Sequence, residues 1–164
     1  MEIKLNLGCG LTNKKDGYVN VDIDEGVHPD IVADVTIVPW VWVPKGDIVL
    51  IEMNNLAEHF DEDTWLEIVK ECHWQLVARG KLWLKVPFLD TETKDLRKFM
   101  DSVLDCFSDP THKKLPFTIR SFDYLDMNHS RWQKYGDSYG VPKFKRIKQQ
   151  IKDRFLIVIL EVVK

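Results

Sequence analysis

The stretch Leu5-Asn6-Leu7-Gly8-Cys9-Gly10 decides the fold class of this chain. It joins an apolar strand, predicted over Ile3 to Leu7, to a turn that contains two glycines. Because glycine has no Cβ atom, the backbone of such a turn can approach a ligand closely and point its amides into a crevice. A Gly-x-Gly turn after a strand also occurs simply as a tight turn, so the motif alone leaves both interpretations open.

An acidic residue at the end of the next strand favours the ligand-binding interpretation. The segment Tyr18 to Ile23 alternates apolar and polar residues, and Asp22 lies where a carboxylate would accept hydrogen bonds from a ribose diol. A nicotinamide-cofactor fingerprint would need a third glycine where Asn13 stands, and an acid about 20 residues further on. The sequence also has no Gly-Lys-Ser/Thr signature of a P-loop.

Apolar runs and helical patterns alternate along the rest of the chain, which predicts an α/β sheet. The further predicted strands are Ile31 to Val35, Asp47 to Ile51, Lys81 to Val86, Phe144 to Gln150 and Phe155 to Val163, the last two forming an antiparallel hairpin with its turn at Lys152-Asp153. The predicted helices are Asp61 to Val77, ended by Gly80, then Thr93 to Phe107 and a short one over Thr118 to Leu125.

The connection between the first two strands is unusually short. Only Leu11 to Gly17 lie between the glycine turn and the second strand, which is short for a parallel crossover with its own helix. We therefore expect the first crossover helix to be reduced to a single turn.

Length and composition fit one domain over residues 1–164. The net charge of −3 makes a nucleic-acid partner unlikely on average charge alone, since phosphates usually meet a basic surface. The chain opens directly on a strand and its longest apolar run, Phe155 to Leu160, is too short for a bilayer, so we expect neither a secretory leader nor a membrane span. With three widely spaced cysteines in addition, a cytoplasmic location is expected.

Five stretches in order carry a resemblance to a known family. They are Leu5 to Gly10, Gly17 to Asp22, Asn55 to Phe60, Leu76 to Pro87, and Asp109-Pro110-Thr111-His112 with Phe117-Thr118 behind it. The chain resembles the class I S-adenosylmethionine-dependent methyltransferases, in particular a short subgroup with the Leu-Asn-Leu-Gly-Cys-Gly, Gly-Tyr-Val-Asn-Val-Asp and Glu-His-Phe motifs. The resemblance implies a three-layer, Rossmann-like, seven-stranded and mostly parallel sheet with a C-terminal antiparallel hairpin, and methyl transfer from S-adenosylmethionine.

The resemblance also implies which residues bind the cofactor. Leu7, Gly8, Cys9 and Gly10 would line its methionine part; Asp22 would hold the ribose hydroxyls; Ile23, Asp34 and Val35 would meet the adenine; and Asn54, Asn55 and Leu56 would lie beside the sulfonium. Asp34 as a plain loop acid, and Asn54 and Asn55 as turn formers, remain alternatives.

The chain departs from the subgroup in two places, one that bears on activity and one that bears on structure. Asn55 stands where the subgroup has the first histidine of His-Val-Leu-Glu-His-Phe, and Val77-Ala78-Arg79-Gly80 replaces a Lys-Pro-Gly-Gly turn. The second change should affect structure only. The first leaves open an alternative function, a cofactor-binding but catalytically lapsed module that works by association.

His59 and His112 are the catalytic candidates. A base is needed in methyl transfer only where the acceptor must lose a proton. His59 follows the fourth strand and is a candidate base or substrate contact, although Glu58-His59 as a cap of the helix starting near Asp61 is the alternative. No pair of histidines has the spacing of a metal site, so none is expected.

Residues 88–140 are predicted to form a substrate-facing insertion or lid. Within them, the stretch Asp123 to Tyr139 is rich in aromatic and polar residues, which suits an acceptor site or a partner surface equally. A small molecule, a sugar or a polymer end is the expected acceptor. The basic run Lys143, Lys145, Arg146 and Lys148 is predicted to be the solvated face of an exposed strand.

Overall fold

The strands of the chain form a single mixed sheet. The computed structural model describes residues 1–113 and 116–164, so residues 114 and 115 of the predicted 88–140 insertion lie outside the described part. The strands are β1 (Glu2–Leu7), β2 (Val19–Asp22), β3 (Ile31–Val32), β4 (Asp47–Asn54), β5 (Leu76–Pro87), β6 (Phe144–Lys152) and β7 (Phe155–Val162). The α-helices are α1 (Glu62–Gln75), α2 (Leu96–Phe107) and α3 (Ser130–Tyr135), and two 3-10 helices span Glu25–Val27 and Ala57–His59.

The sheet order is β3-β2-β1-β4-β5-β7-β6. Strands β1 to β5 are parallel, and β7 pairs antiparallel with both β5 and β6. The predicted parallel sheet with a terminal antiparallel hairpin is therefore confirmed. The central strand β1 buries Leu5 and Leu7 completely, as expected for a strand between two parallel neighbours. Among the described residues, no helix is both long and apolar enough to cross a bilayer.

The short first crossover is also confirmed. After β1 the chain makes one turn, in which the Asn13 amide donates to the Cys9 carbonyl oxygen at 3.1 Å. The buried Asn6 fixes this turn, because its amide donates to the Asn13 carbonyl oxygen at 2.7 Å and to Asn20 Oδ1 at 2.9 Å. In residues 8–46, all of which are described, the 3-10 helix Glu25–Val27 is the only helical segment.

Trp40 packs the loop after β3 against the helix that follows β4. Its side chain is buried in the core, its Nε1 donates to the Val35 carbonyl oxygen at 2.8 Å, and its amide donates to Glu71 Oε1 of α1 at 3.0 Å. Trp42 stacks on it with ring centroids 5.2 Å apart. Trp40 thus belongs to the hydrophobic core, and the partly buried Trp42 packs against it.

The helix predicted over Asp61 to Val77 is confirmed as α1, but its predicted end at Gly80 and the helix predicted over Thr118 to Leu125 are wrong. Gly80 does not end α1: the helix stops at Gln75, and Leu76 is already extended and paired with Ile48 in the sheet. The segment Thr118 to Leu125 is a chain of turns, because its amides donate three residues back, as from Ser121 to Thr118 and from Leu125 to Phe122. Both errors come from local patterns that sheet pairing and turn hydrogen bonds override.

The terminal hairpin turns one residue later than predicted. Lys152 pairs with Phe155, which leaves Asp153 and Arg154 as the loop, with φ angles of 48° and 66°. Two central residues with positive φ are the signature of a type I′ turn, whose twist suits antiparallel strands.

Arg79, within β5, has a strained backbone conformation. Its side chain is exposed and its φ is 66°. An L side chain in this left-handed region is strained by about 1 kcal/mol. We expect Arg79→Gly to raise the free energy of unfolding by about 0.5–1 kcal/mol in urea titrations. Lys81→Gly, in the same strand, should lower it, and equal effects of the two changes would contradict this explanation.

Candidate functional site

A cavity of about 640 Å³ opens where β1, β2, β3 and β4 end. In parallel sheets this carboxyl edge is where ligands bind, because the loops that follow the strands meet there. The lining residues are Gly8, Gly10, Asp22, Ile23, Ala33, Asp34, Val35, Thr36, Asn55, Leu56, His59, Phe60, Thr111 and Lys113. Nine of the residues singled out from the sequence are thereby brought together: Gly8, Gly10, Asp22, Ile23, Asp34, Val35, Asn55, Leu56 and His59.

The glycine turn forms the floor of this cavity. The amides of Gly8 and Cys9 both donate to the Val21 carbonyl oxygen, at 2.9 and 3.1 Å, which clamps the turn to β2. Gly8 has a φ of 66°, and a Cβ atom built on it would lie 2.8 Å from Leu56 Cδ1. Glycine is required at this position both for its backbone conformation and for the close approach of Leu56.

Replacing Gly8 should therefore cost more stability than replacing a glycine that is only strained. Gly17 has a similar φ of 76° but nothing within 4 Å of a built Cβ atom, so it is the matched control. We expect Gly17→Ala to lower the free energy of unfolding by about 1 kcal/mol and Gly8→Ala by about 1–2 kcal/mol, since Leu56 must also move. Urea denaturation measures both, and an equal loss would mean that the contact with Leu56 has no cost.

Asp22 lies at the rim of the glycine turn. Its Oδ2 accepts the Gly10 amide at 2.8 Å, and its Oδ1 accepts the Asp24 amide at 3.1 Å. A carboxylate offers about four acceptor positions, so both oxygens can still accept hydrogen bonds from a ligand. The neighbouring Ile23 is 65% exposed although apolar, and a flat ligand in the cavity would cover it.

The loop after β3 supplies another wall. Asp34 lines the cavity, but its Oδ1 also accepts the amide and the hydroxyl of Thr36 at 2.9 and 2.7 Å. This carboxylate therefore has the loop-forming role that was the alternative, while remaining beside the cavity. Val35 is largely buried and presents its edge there.

Three predicted cofactor residues do not line the cavity. Leu7 and Cys9 are fully buried, so any contact from them would have to come from main-chain atoms. Burial also raises the pKa of the Cys9 thiol, with the Asp22 carboxylate acting in the same direction. Asn54 donates from Nδ2 to Asn13 Oδ1 at 3.0 Å and thus holds the first crossover against β4. The sequence correctly placed these three residues at the carboxyl edge of the sheet. It did not show in which direction their side chains point.

Asn55 forms the turn considered for it and also lies in the lining of the cavity. Its φ is 53°, a left-handed conformation that asparagine adopts more readily than most residues, and its amide donates to the Lys85 carbonyl oxygen at 2.8 Å. It also lines the main cavity and a second one of about 260 Å³ beside it. The turn explains the residue type without excluding contact with a ligand.

The second cavity holds the two candidate histidines. His59 and His112 lie edge to face with ring centroids 5.1 Å apart. The two chain segments that carry them are joined by a hydrogen bond from the Lys113 amide to the Glu58 carbonyl oxygen at 3.1 Å. The remaining lining residues are Asn55, Glu58, Pro87, Asp105, Asp109, Arg154 and Phe155.

Glu58 is a residue of this region that sequence reasoning missed as a site residue. Only 5% of its surface is exposed, and burial raises the pKa of its carboxyl group to about 7. Its Oε2 is buried and has no hydrogen-bond partner among the described residues. The sequence signal was limited to an acid next to a histidine after a strand, which is common in helix caps.

The helix-cap alternative for Glu58-His59 is wrong. Asp61 caps α1 by itself, since its Oδ1 accepts the Thr64 amide at 2.8 Å. Glu58 and His59 belong to the separate 3-10 helix Ala57–His59. Their side chains are therefore not needed to start α1.

The aromatic and polar stretch Asp123 to Tyr139 divides into two parts. Asp123 is buried and accepts a hydrogen bond from Arg146 Nη1 at 3.0 Å, and His129 Nε2 lies 3.6 Å from the other carboxylate oxygen of Asp123. Because Arg146 belongs to β6, this part ties the stretch to that strand. The prediction that the whole basic run forms a solvated face is therefore wrong for Arg146. Tyr124, Arg131 and Tyr139 line a further cavity of about 720 Å³, where the guanidinium carbon of Arg131 lies 5.5 Å from the centroid of the Tyr124 ring.

The chain is similar to solved structures but not to known sequence families. No protein-family model matches it, and no curated protein does. A SAM-dependent methyltransferase from Archaeoglobus fulgidus aligns over 98% of this chain and 86% of its own, with a TM-score of 0.60 and 14% identity. The structure described as PigF with SAH (S-adenosylhomocysteine) aligns over 99% of this chain with a TM-score of 0.60 and 11% identity.

The coverage of these neighbours varies. The chain spans only 56% of the PigF chain. It spans 74% of the magnesium protoporphyrin IX methyltransferase from Synechocystis PCC 6803 with bound SAH, and 98% of this chain aligns there, with a TM-score of 0.55 and 10% identity. At such identities the likeness concerns the fold, and the chain has the fold of the class I S-adenosylmethionine-dependent methyltransferases.

Proposed function

We propose that this protein is an S-adenosylmethionine-dependent methyltransferase. The observation that carries the proposal is the main cavity, where the Gly8 to Gly10 turn, Asp22 and Leu56 meet at the carboxyl edge of a sheet whose fold is similar to that of solved methyltransferases. Open space beside Gly10, a carboxylate with spare acceptor positions and an exposed apolar surface at Ile23 together suit a nucleoside linked to a charged chain.

Each wall of the cavity is assigned to one part of the cofactor. Gly8 and Gly10, with main-chain atoms of Leu7 and Cys9, would meet the methionine part, and Asp22 would accept the ribose hydroxyls. The adenine would lie against Ile23 and Val35, with Asp34 at its edge. Asn55 and Leu56 would lie beside the sulfonium, and Asn54 acts by holding the first crossover in place.

The chemistry of this fold depends mainly on alignment. S-adenosylmethionine supplies a methyl group that is already activated on a sulfonium. The protein then has to hold the acceptor in line with the methyl group and exclude water, which is worth several orders of magnitude in rate. We assign His59 and His112, on the side of Asn55 away from the glycine turn, to the acceptor and to its proton.

The acceptor is proposed to be a small molecule, a sugar or a polymer end. The second cavity is small, and seven of its nine lining residues are polar or charged, which suits a hydroxyl-bearing group better than a large apolar one. The segment 88–140 would cover this side of the site as an insertion or lid. Three free, buried cysteines support a reducing, cytoplasmic setting.

A catalytically lapsed module is the second candidate, and it is less favoured. It rested on Asn55 and on the short first crossover. The crossover is short, but it leaves the main cavity open, and asparagine at position 55 fits the left-handed turn there and still lines both cavities. Nothing about the change closes the cavity or removes His59.

Turnover tests the proposal directly. The protein is incubated with S-adenosylmethionine labelled on the methyl group and with a panel of hydroxylated small molecules, sugars and glycan ends. We expect acceptor-dependent transfer of label that is lost in Asp22→Ala. Binding of the cofactor with no label transferred to any acceptor, and no S-adenosylhomocysteine formed, would favour the lapsed module instead.

A further inference from the structure

Three side chains at the boundary of the two cavities form a cluster of metal-ligand type. One ligand atom from each of Glu58, His59 and His112 lies within 4.8 Å of the other two. The 3-10 helix after β4 carries the first two residues, and the loop after α2 brings the third to them. A histidine pair alone would be unremarkable on a protein surface, so the orientation of the rings decides what the cluster can do.

Hydrogen bonds fix the protonated nitrogen of His59. The Thr111 hydroxyl donates to Asp109 Oδ1 at 2.6 Å, so its oxygen is left to accept from His59 Nδ1 at 3.0 Å. The carbonyl oxygen of Thr111, which can only accept, is 3.4 Å from the same nitrogen. Nδ1 of His59 therefore carries the proton, and Nε2 keeps a free lone pair.

His112 is oriented in the same way. Its Nδ1 lies 3.0 Å from the carbonyl oxygen of Cys106, which requires a proton on Nδ1 and leaves the lone pair on Nε2. Asp109 Oδ2 lies 3.7 Å from that Nε2 and adds negative charge beside it. Imidazole ligands of metal ions usually donate their second nitrogen to a carbonyl or a comparable acceptor, and both histidines do so.

Glu58 supplies an independent observation that points to a ligand at this cluster. Its side chain is more than nine-tenths buried, and its Oε2 has no hydrogen-bond partner among the described residues. A buried carboxylate without a partner is costly, and buried charges in proteins are paired or coordinate metals. A cation bound by the two imidazoles would satisfy this oxygen.

We propose that Glu58, His59 and His112 bind one divalent first-row transition-metal ion, such as Zn²⁺. Two imidazole nitrogens and one carboxylate oxygen suit such ions, whereas Mg²⁺ and Ca²⁺ prefer sites made of oxygen alone. Three protein ligands leave at least one coordination position open. His59 and Asn55 line both cavities, so the ion would lie at the wall between them.

The open position gives the ion a use in the reaction, and this part rests on the proposed function. A hydroxyl group of the acceptor whose oxygen binds the ion would release its proton to solvent water more easily. The two histidines would then act on the acceptor through the metal and not as free bases.

Metal binding is tested on the full chain, without any acceptor. Cobalt(II) is titrated into metal-free protein and followed by its visible absorption, and Zn²⁺ binding is measured by calorimetry. We expect one ion per chain, with the affinity lowered at least about ten-fold in both Glu58→Gln and His112→Ala. His28→Asn, which removes an exposed histidine at a left-handed position that asparagine tolerates, should leave the affinity unchanged.

Glu58→Gln keeps the size of the side chain, so it guards against a folding defect in His112→Ala, and circular dichroism checks both. No binding by the unaltered protein, or binding that neither substitution weakens, would overturn the proposal. Titration with S-adenosylmethionine in the presence of a chelator keeps the two proposals apart. Cofactor binding without metal binding would refute the metal site alone, and metal binding without cofactor binding would refute the methyltransferase proposal alone.

Discussion

Asp22→Ala is expected to weaken binding of S-adenosylmethionine by about 1–3 kcal/mol, or about 5- to 150-fold in Kd. The reason is the loss of charge-assisted hydrogen bonds from the ribose hydroxyls to the carboxylate. Asp22 also accepts the amides of Gly10 and Asp24, so part of the loss comes from a looser glycine turn. Isothermal titration calorimetry of both proteins measures the effect.

Asp24→Ala is the control for this change. Asp24 is an exposed carboxylate two residues away that caps the 3-10 helix Glu25–Val27 by accepting the Gly26 amide, and it does not line the cavity. Its replacement should leave the affinity within about two-fold. An unchanged affinity in Asp22→Ala would mean that another group holds the ribose.

The second large effect concerns stability and pH. Burial raises the pKa of Glu58 to about 7 from an ordinary value of 4.5, so the folded protein keeps a proton there that the unfolded chain releases. The stability due to this proton is complete below about pH 4.5 and is lost as the pH rises through 7. The loss amounts to about 3 kcal/mol at most.

Glu58→Gln removes this dependence because an amide does not titrate. In a chelating buffer, the free energy of unfolding of the variant relative to the unaltered protein should rise by up to about 3 kcal/mol between pH 5 and pH 8. Urea titrations at both pH values measure the difference, in which the other titrating groups cancel. Glu2→Gln, which alters an exposed carboxylate on β1, is the control, and the same trend there would contradict the assignment to Glu58.

The strands of the sheet and the main cavity could be predicted because their signals are local. The glycine turn and Asp22 lie at the ends of adjacent parallel strands, and such ends always meet at one sheet edge. The short first crossover was likewise visible as a count of residues between two strands. What could not be read was side-chain direction, so Leu7 and Cys9 were placed in a cavity from which their side chains are turned away.

The cluster of Glu58, His59 and His112 could not be predicted from the sequence for a different reason. His59 and Thr111 are 52 positions apart, and their contact depends on how the loop after α2 docks against the 3-10 helix Ala57–His59. No spacing rule links them, and the sequence therefore gave no expectation of a metal site. Glu58 is informative only once its burial and its unpaired oxygen are known.

Gly80 and Arg79 show how sheet pairing overrides a local stop signal. A glycine after an amphipathic helix normally marks its end, yet the pairing of Leu76 with Ile48 begins the strand immediately after Gln75. The left-handed residue then falls at Arg79, inside β5. The change at residues 77–80 was predicted to affect structure only. The left-handed backbone conformation of Arg79 makes this expectation testable, through the stability of Arg79→Gly.

The most direct test of the central claim is calorimetric titration of the unaltered protein with S-adenosylmethionine, S-adenosylhomocysteine and NAD in parallel. The cavity at Gly8, Gly10 and Asp22 is expected to bind the first two compounds, one molecule per chain, and not NAD. Binding of NAD without either sulfur compound would contradict the assignment of this cavity to S-adenosylmethionine.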